Sequence, residues 1–363
     1  MLKQFLSAAL VVAAMSVLTS CDSDNKHDYE PNPDQPKYSA GAYFLNQGSF
    51  SEGGGIEGGL YSLDYTTGTM ANNIFKAANN KSLGDTPQCG VCYGSKVYIG
   101  VYMSQCIFIM DKYTNKELRC IRLKGMKQGS QPRSMVAHGG KVYVAMYDGY
   151  VTRLDTTTMQ IDKSVQVGPN PETIGIYNNK IYVPNSDGMN YLSGYGTTAS
   201  VIDIDSFTVT ATITVPLNPA EFQANKDGLY LLAKGNYQDI PSKIYKVEGL
   251  EFKEIAEASI MAVDEDKVYY VNAPFTDDVK VTYGYYDIAK DMNQEWRIQQ
   301  VDYPNNIAID RIGGKMFISS YIMDGKYPSY TAPGYVNEYT LDGKFVKKYD
   351  IGVGPAAIFF DKY

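Results

Sequence analysis

Histidine is nearly absent: the 363-residue chain carries two, His27 and His138. A multi-histidine metal site cannot be assembled from these, and a histidine-centred triad would have to use His138 alone. Tryptophan is reduced to Trp296, and cysteine to Cys21, Cys89, Cys92, Cys106 and Cys120. Positive charge is not in excess. The formal net charge is −7 and no basic stripe is visible, which argues against a nucleic-acid partner. No stretch beyond the amino terminus strings together enough apolar residues for a bilayer-spanning helix. What is abundant is tyrosine, at 32 residues against 13 phenylalanines. Tyrosine favours strands and makes good contact surface, with an apolar ring and a polar tip.

The amino terminus reads as an address. Lys3 supplies a positive start, and the predominantly apolar run from Phe5 to Leu18 suits a secretory h-region rather than a membrane span. Leu18-Thr19-Ser20-Cys21 follows directly. This resembles the bacterial lipobox, whose cysteine is acylated and becomes the first mature residue; acyl chains on Cys21 would anchor the protein by burying methylenes. Asp22-Ser23-Asp24-Asn25 resembles the surface-export signal of Bacteroidetes lipoproteins. The domain reading is residues 1–20 as signal peptide, 21–38 as lipidated cysteine and flexible Pro-containing tether, and 39–363 as a single repeat domain. The expected location is the outer membrane, lipid-anchored and facing the exterior.

A repeat organises the rest. A short strand recurs at Ala42-Tyr43, Lys96-Val97-Tyr98, Lys141-Val142-Tyr143, Lys180-Ile181-Tyr182, Leu229-Tyr230, Lys267-Val268-Tyr269 and Lys315-Met316-Phe317. The aromatic positions lie 39 to 55 residues apart, the length of a propeller blade. A second marker, with small and apolar residues alternating, begins at Pro87, Pro132, Pro171, Pro219, Ala258, Asn305 and Pro355, and suits the innermost strand near a narrow axis. Seven of each predict an all-β, seven-bladed β-propeller with four-stranded blades. The strand from Pro355 has no blade after it and should pair into the blade of Tyr43, closing the ring.

The loops after each marker strand are long at Asn46 to Gly59, Asn185 to Thr198, Lys234 to Ser242, Asn272 to Gly284 and Ser320 to Tyr335, and are rich in Tyr, Gly and Asn. They share one face with the connections between blades, so one face is elaborated and the other plain. The elaborated face is the expected binding surface. His138, before Gly139-Gly140, is expected on the plain face. Asp64, Asp111, Asp155, Asp203 and Asp287 recur near the ends of third strands and read as turn-formers, since Asp bonds its own backbone there. Cys89 and Cys92 share a C-x-x-C spacing, but residues three apart in a strand point to opposite faces, so they read as small inner-strand residues. Cys106 and Cys120 fall on consecutive strands, where a disulfide is one option for an exported chain.

The Val167-Gly168-Pro169-Asn170-Pro171 and Val353-Gly354-Pro355 segments, with the K-V-Y strands, resemble YncE-like propellers. Leu45-Asn46-Gln47-Gly48-Ser49-Phe50, Gly58-Gly59-Leu60-Tyr61, Phe75-Lys76-Ala77-Ala78-Asn79 and Leu83-Gly84-Asp85 are similar to Bacteroidetes surface lipoproteins that include cobalamin-capturing propellers of the BtuG type. The resemblance implies a non-catalytic capture protein. It would bind cobalamin or a related corrinoid as ligand, with no cofactor, and deliver it to a TonB-dependent outer-membrane transporter of the BtuB type. On that reading Tyr102, Tyr147, Tyr191, Tyr237, Phe275 and Tyr321 cover apolar ring edges. Asn46, Gln131, Asn170, Asn185 and Asn236 bond ligand amides, and Arg133 and Glu172 face the central depression. The alternatives are a module for another surface nutrient such as a glycan, or a propeller lactonase.

Overall fold

The structure is a computed structural model describing residues 32–49, 55–273 and 280–363. Cys21 and Phe275 lie outside them. Seven four-stranded antiparallel sheets form the blades, which makes the protein a seven-bladed β-propeller, as the repeat predicts. Blade 2 shows the pattern: Pro87–Tyr93 inside, then Lys96–Val101, Cys106–Asp111 and Glu117–Arg122 at the rim. Blade 1 is assembled from both ends of the chain. Pro355–Lys362 pairs with Ser39–Asn46, with Ala42 opposite Phe360 and Tyr43 opposite Phe359, and Gly59–Asp64 and Thr69–Ala71 complete it. The closure is reinforced by Asp310 of blade 7, which is buried and accepts hydrogen bonds from Ser39 and Tyr65.

The K-V-Y strand follows from how blades stack. Successive side chains of a strand point to opposite faces, and here both faces are covered by neighbouring blades. Val97, Ile99 and Val101 pack with blade 1, whereas Tyr98 packs with blade 3. Likewise Val142 and Val144 face blade 2, and Tyr143 faces blade 4. The core is therefore divided into slabs between adjacent blades, and the second strand of each blade contributes to two of them. Burying each such side chain contributes roughly 1.5–3 kcal/mol.

The five recurrent aspartates form the third-to-fourth turns. Asp64 accepts the Thr67 N–H at 2.8 Å, Asp111 that of Thr114 at 2.8 Å, Asp155 that of Thr158 at 2.7 Å, Asp203 that of Ser206 at 2.9 Å and Asp287 that of Lys290 at 3.1 Å. Four residues after each Asp the chain turns left-handed, at Gly68, Asn115, Met159, Phe207 and Asp291.

The first-to-second turns are tight, and Gly139-Gly140 and Asn178-Asn179 both take positive φ. His138 lies beside the first of these, on the plain face, with Nδ1 3.3 Å from Asp34. Asp34 also accepts hydrogen bonds from Tyr93 Oη at 3.0 Å and from the Gly139 N–H at 3.1 Å. The segment leading into blade 1 is thus pinned to the plain face. Cys89 and Cys92 are inner-strand residues of blade 2, and burial pushes both thiols up to about 12. Cys106 and Cys120 are free thiols. They are offset across the pair, with Cys106 opposite Arg122 and Cys120 opposite Phe108.

Candidate functional site: the axial depression

Four inner strands start at the elaborated face with proline, at Pro87, Pro132, Pro219 and Pro355, and in blade 7 Pro304 stands second. Proline has no N–H to leave unpaired at a strand's first residue. In five blades the residue after that proline is a β-bulge. Gln88, Arg133, Ala220, Asn305 and Ala356 are each skipped by the ladder to the second strand. A bulge re-aims the side chain it carries. All five bulged residues line one depression of about 350 Å³ on the propeller axis.

Blade 4 departs from this pattern for a local reason. The Pro184 carbonyl faces inward, where it accepts the Glu172 N–H at 3.0 Å, so the N–H that proline lacks would also have faced inward. Deprived of that donor, the Glu172 carbonyl accepts the Ser134 hydroxyl at 2.9 Å. The inner strand then shifts toward blade 5, where Thr173 bridges Glu221 in parallel. Regular pairing resumes only at Gly175–Tyr177. The shift presents Glu172 to Arg133 of blade 3, whose Nε donates to Oε2 at 2.6 Å. The Arg133 guanidinium also lies 5.2 Å from the Tyr147 ring centre, and Tyr147 meets Tyr102 edge to face at 6.0 Å. Burial works against the Arg133 charge, but Glu172 outweighs it and holds the guanidinium's pKa above its usual value.

In the adjoining blade 5, Glu221 and Lys234 face the same space. Burial pushes the Glu221 carboxyl up, against the Gln223 amide that donates to it at 2.7 Å. Burial pushes the Lys234 ammonium down, against the pull of Glu221 and Glu172. Gln47, Asn305 and Asn306 complete an amide-rich rim. The Asn305 and Asn306 Nδ2 groups donate to the Pro355 and Ala356 carbonyls.

Of the residues read from sequence, Arg133, Glu172 and Tyr321 line the depression. Tyr321 is itself buried, stacked edge to face on Tyr303 and Tyr330. Tyr102 and Tyr147 flank Arg133. Tyr191 is exposed on the blade 4 loop, and Tyr237 is exposed on the blade 5 loop against Tyr195. Gln131 is half-buried before the blade 3 inner strand, where its carbonyl accepts the Tyr147 N–H.

Four of the residues expected to bond ligand amides are buried or engaged within the chain. Asn46 and Asn185 are 1% exposed, because each packs beneath a glycine of the preceding blade's exit. A Cβ on Gly168 would come 2.4 Å from Asn185 Cγ, and one on Gly352 would come 3.2 Å from Asn46 Cγ. Asn185 Nδ2 donates to Thr198 and Ser200. Asn170 clamps its own loop, donating to the Tyr147 carbonyl and accepting the Met189 N–H. Asn236 closes the blade 5 loop by accepting from the Gln238 and Ile240 N–H groups and donating to Asp239. Sequence reading missed Gln47, Gln88, Glu221, Lys234, Asn305 and Asn306. For Gln88 and Asn305 the signal was available as the residue after each inner-strand proline.

The fold recurs among solved structures. A candidate 6-phosphogluconolactonase from Bacteroides uniformis matches with a TM-score of 0.61 at 13% identity, covering 89% of this chain and 100% of that one. One from Bacteroides fragilis gives 0.59 at 14%, covering 89% and 98%. Kuenenia stuttgartiensis hydrazine synthase gives 0.58 at 16%, covering 74% and 88%. At these identities the likeness concerns the propeller fold alone. No protein-family model and no curated protein matches the sequence.

Proposed function

We propose that this protein is a non-catalytic capture propeller that takes up a corrinoid, cobalamin or a close relative, at the axial depression. Anchored through an acylated Cys21 on the outer surface, it would pass the ligand to a TonB-dependent outer-membrane transporter. The observation that carries the reading is the rim of the depression, where bulged positions aim amide and charged side chains at one space beside paired tyrosines. A corrin ring is edged with amide side chains, which match Gln47, Gln88, Asn305 and Asn306 as hydrogen-bonding partners. Its conjugated plane suits the edges of Tyr102 and Tyr147. The depression would seat one flank of so large a ligand, and the exposed Tyr191 and Tyr237 would meet the remainder. The two axial carboxylates are engaged by Arg133 and Gln223, an arrangement suited to holding a ligand more than to moving its protons.

A second reading, a sugar-acid lactone as substrate, takes its support from the two cations in the depression, Arg133 and Lys234. Calorimetric titration with cyanocobalamin separates the readings. Single-site binding at micromolar or tighter affinity is expected. Absence of heat, together with acid release from 6-phosphogluconolactone, would replace the first reading with the second.

A further inference from the structure

A second cavity, of about 260 Å³, opens between the blade 5 loop and the start of blade 7. Its character differs from that of the axial depression. Tyr237, Ile240, Pro241, Ala273, Tyr303 and Pro304 give it facing apolar and aromatic walls. The two cavities share Lys234, Ser259, Ile260 and Asn305, so they adjoin, and Lys234 stands at the junction. Its ammonium donates to the Ser259 carbonyl. Among the described residues it has no carboxylate within ion-pair distance, whereas Arg133, the other cation of the depression, is paired with Glu172. A half-buried ammonium that feels Glu221 and Glu172 only from beyond ion-pair contact is incompletely compensated. A ligand anion at the junction would supply what is missing.

We infer that the site is bipartite: the axial depression holds an amide-bearing ring, Lys234 holds an anionic linker, and the side cavity holds a flat apolar ring attached through that linker. This rests on the corrinoid reading above and sharpens it, since among corrinoids it selects those with a complete nucleotide tail, in which a phosphodiester joins the corrin side chain to an aromatic base. Tyr237 sits at the mouth of the side cavity with φ +57°, a left-handed conformation that orients its ring and that asparagine also tolerates.

The test compares cyanocobalamin with dicyanocobinamide, which keeps the corrin and its amides but lacks the phosphate, ribose and base. Calorimetry on the mature chain should show cobinamide binding at least about tenfold more weakly. Lys234→Met should weaken cobalamin binding more than cobinamide binding, which narrows the gap between the two ligands. Tyr237→Asn, at an exposed loop position, should narrow the gap in the same direction and guards against a misfolded Lys234 variant. Equal affinity for the two ligands in the wild type, or equal weakening of both by these substitutions, would overturn the bipartite site while leaving corrinoid capture in place. Failure of both ligands to bind would remove the corrinoid reading itself, and this inference with it.

Discussion

The two faces of the ring are made by the same strands and differ in what their turns do. On the plain face the chain reverses through repeated solutions: Asp-led turns with a left-handed fourth residue, and two-residue Gly-Gly or Asn-Asn turns. Their carboxylates bond their own backbone, and the segment before blade 1 is held there by Asp34. On the elaborated face the repeat is broken in a regular manner. Proline opens the inner strand, a bulge follows, and the bulged side chain is released from the ladder to face the axis. Side chains on the plain face are chosen by the turn they close. The bulged positions on the other face carry Gln, Arg, Ala and Asn, so the scaffold constrains their direction and leaves their chemistry free.

The largest test of the shared scaffold is removal of its closing strand. Truncation before Pro355 deprives blade 1 of its inner strand, uncovers Tyr43, which stacks on Phe359, and leaves Phe44 without its partner Ile358. The cooperative thermal transition should be lost, and both faces with it; a truncated chain that still melts cooperatively would show that the ring does not depend on its closure.

Substitution on either face should then separate stability from binding. Arg133→Met combined with Glu172→Gln, which leaves no unpaired charge behind, should weaken cyanocobalamin binding by about 2 kcal/mol, the range for a hydrogen bond to a charged group, with little change in melting temperature. Asp155→Ala should do the reverse. It removes two backbone hydrogen bonds and the Lys141 ion pair, lowering stability by roughly 1 kcal/mol without altering affinity.

The smallest effect concerns pH. Asp155, held below the usual carboxylate range first by Lys141 and then by the Thr158 N–H, and Asp64, held down by the Thr67 N–H, stabilise the fold above the unfolded value of about 3.9. That contribution is lost as pH falls through their lower folded values. Glu221 is shifted the other way by burial, so its charge opposes folding at neutral pH and its protonation on acidification relieves the cost. Glu221→Gln should therefore raise the neutral-pH melting temperature slightly. A drop would mean that its charge is compensated by a stronger partner than Gln223.

The blade count was legible because each K-V-Y strand must fill two slabs at once, which imposes alternating Val and Tyr at blade-length intervals. The turn aspartates were legible for a similar reason, as a local hydrogen-bonding need repeated in each of five blades. The axial side chains were harder to read. A bulge leaves no mark on hydrophobic alternation, and the only trace was the residue after each inner-strand proline. The burial of Asn46 and Asn185 was not legible because an asparagine at the start of a long loop looks available, whereas Gly352 and Gly168 of the preceding segments leave the space that buries each one. Glu172 faces the axis through Pro184, a residue in the neighbouring strand whose missing N–H frees the backbone beside it.

The difference between the faces can be measured in one experiment, hydrogen exchange on the protein with and without saturating cyanocobalamin. Protection is expected in segments 130–135, 171–174, 219–222, 234–242 and 303–307, where the inner strands begin and the blade 5 loop closes over the side cavity. The plain-face turns at 111–117, 155–160 and 203–208 should exchange unchanged. Protection centred on those turns, with the axial segments unaffected, would contradict the assignment of binding to the axial depression.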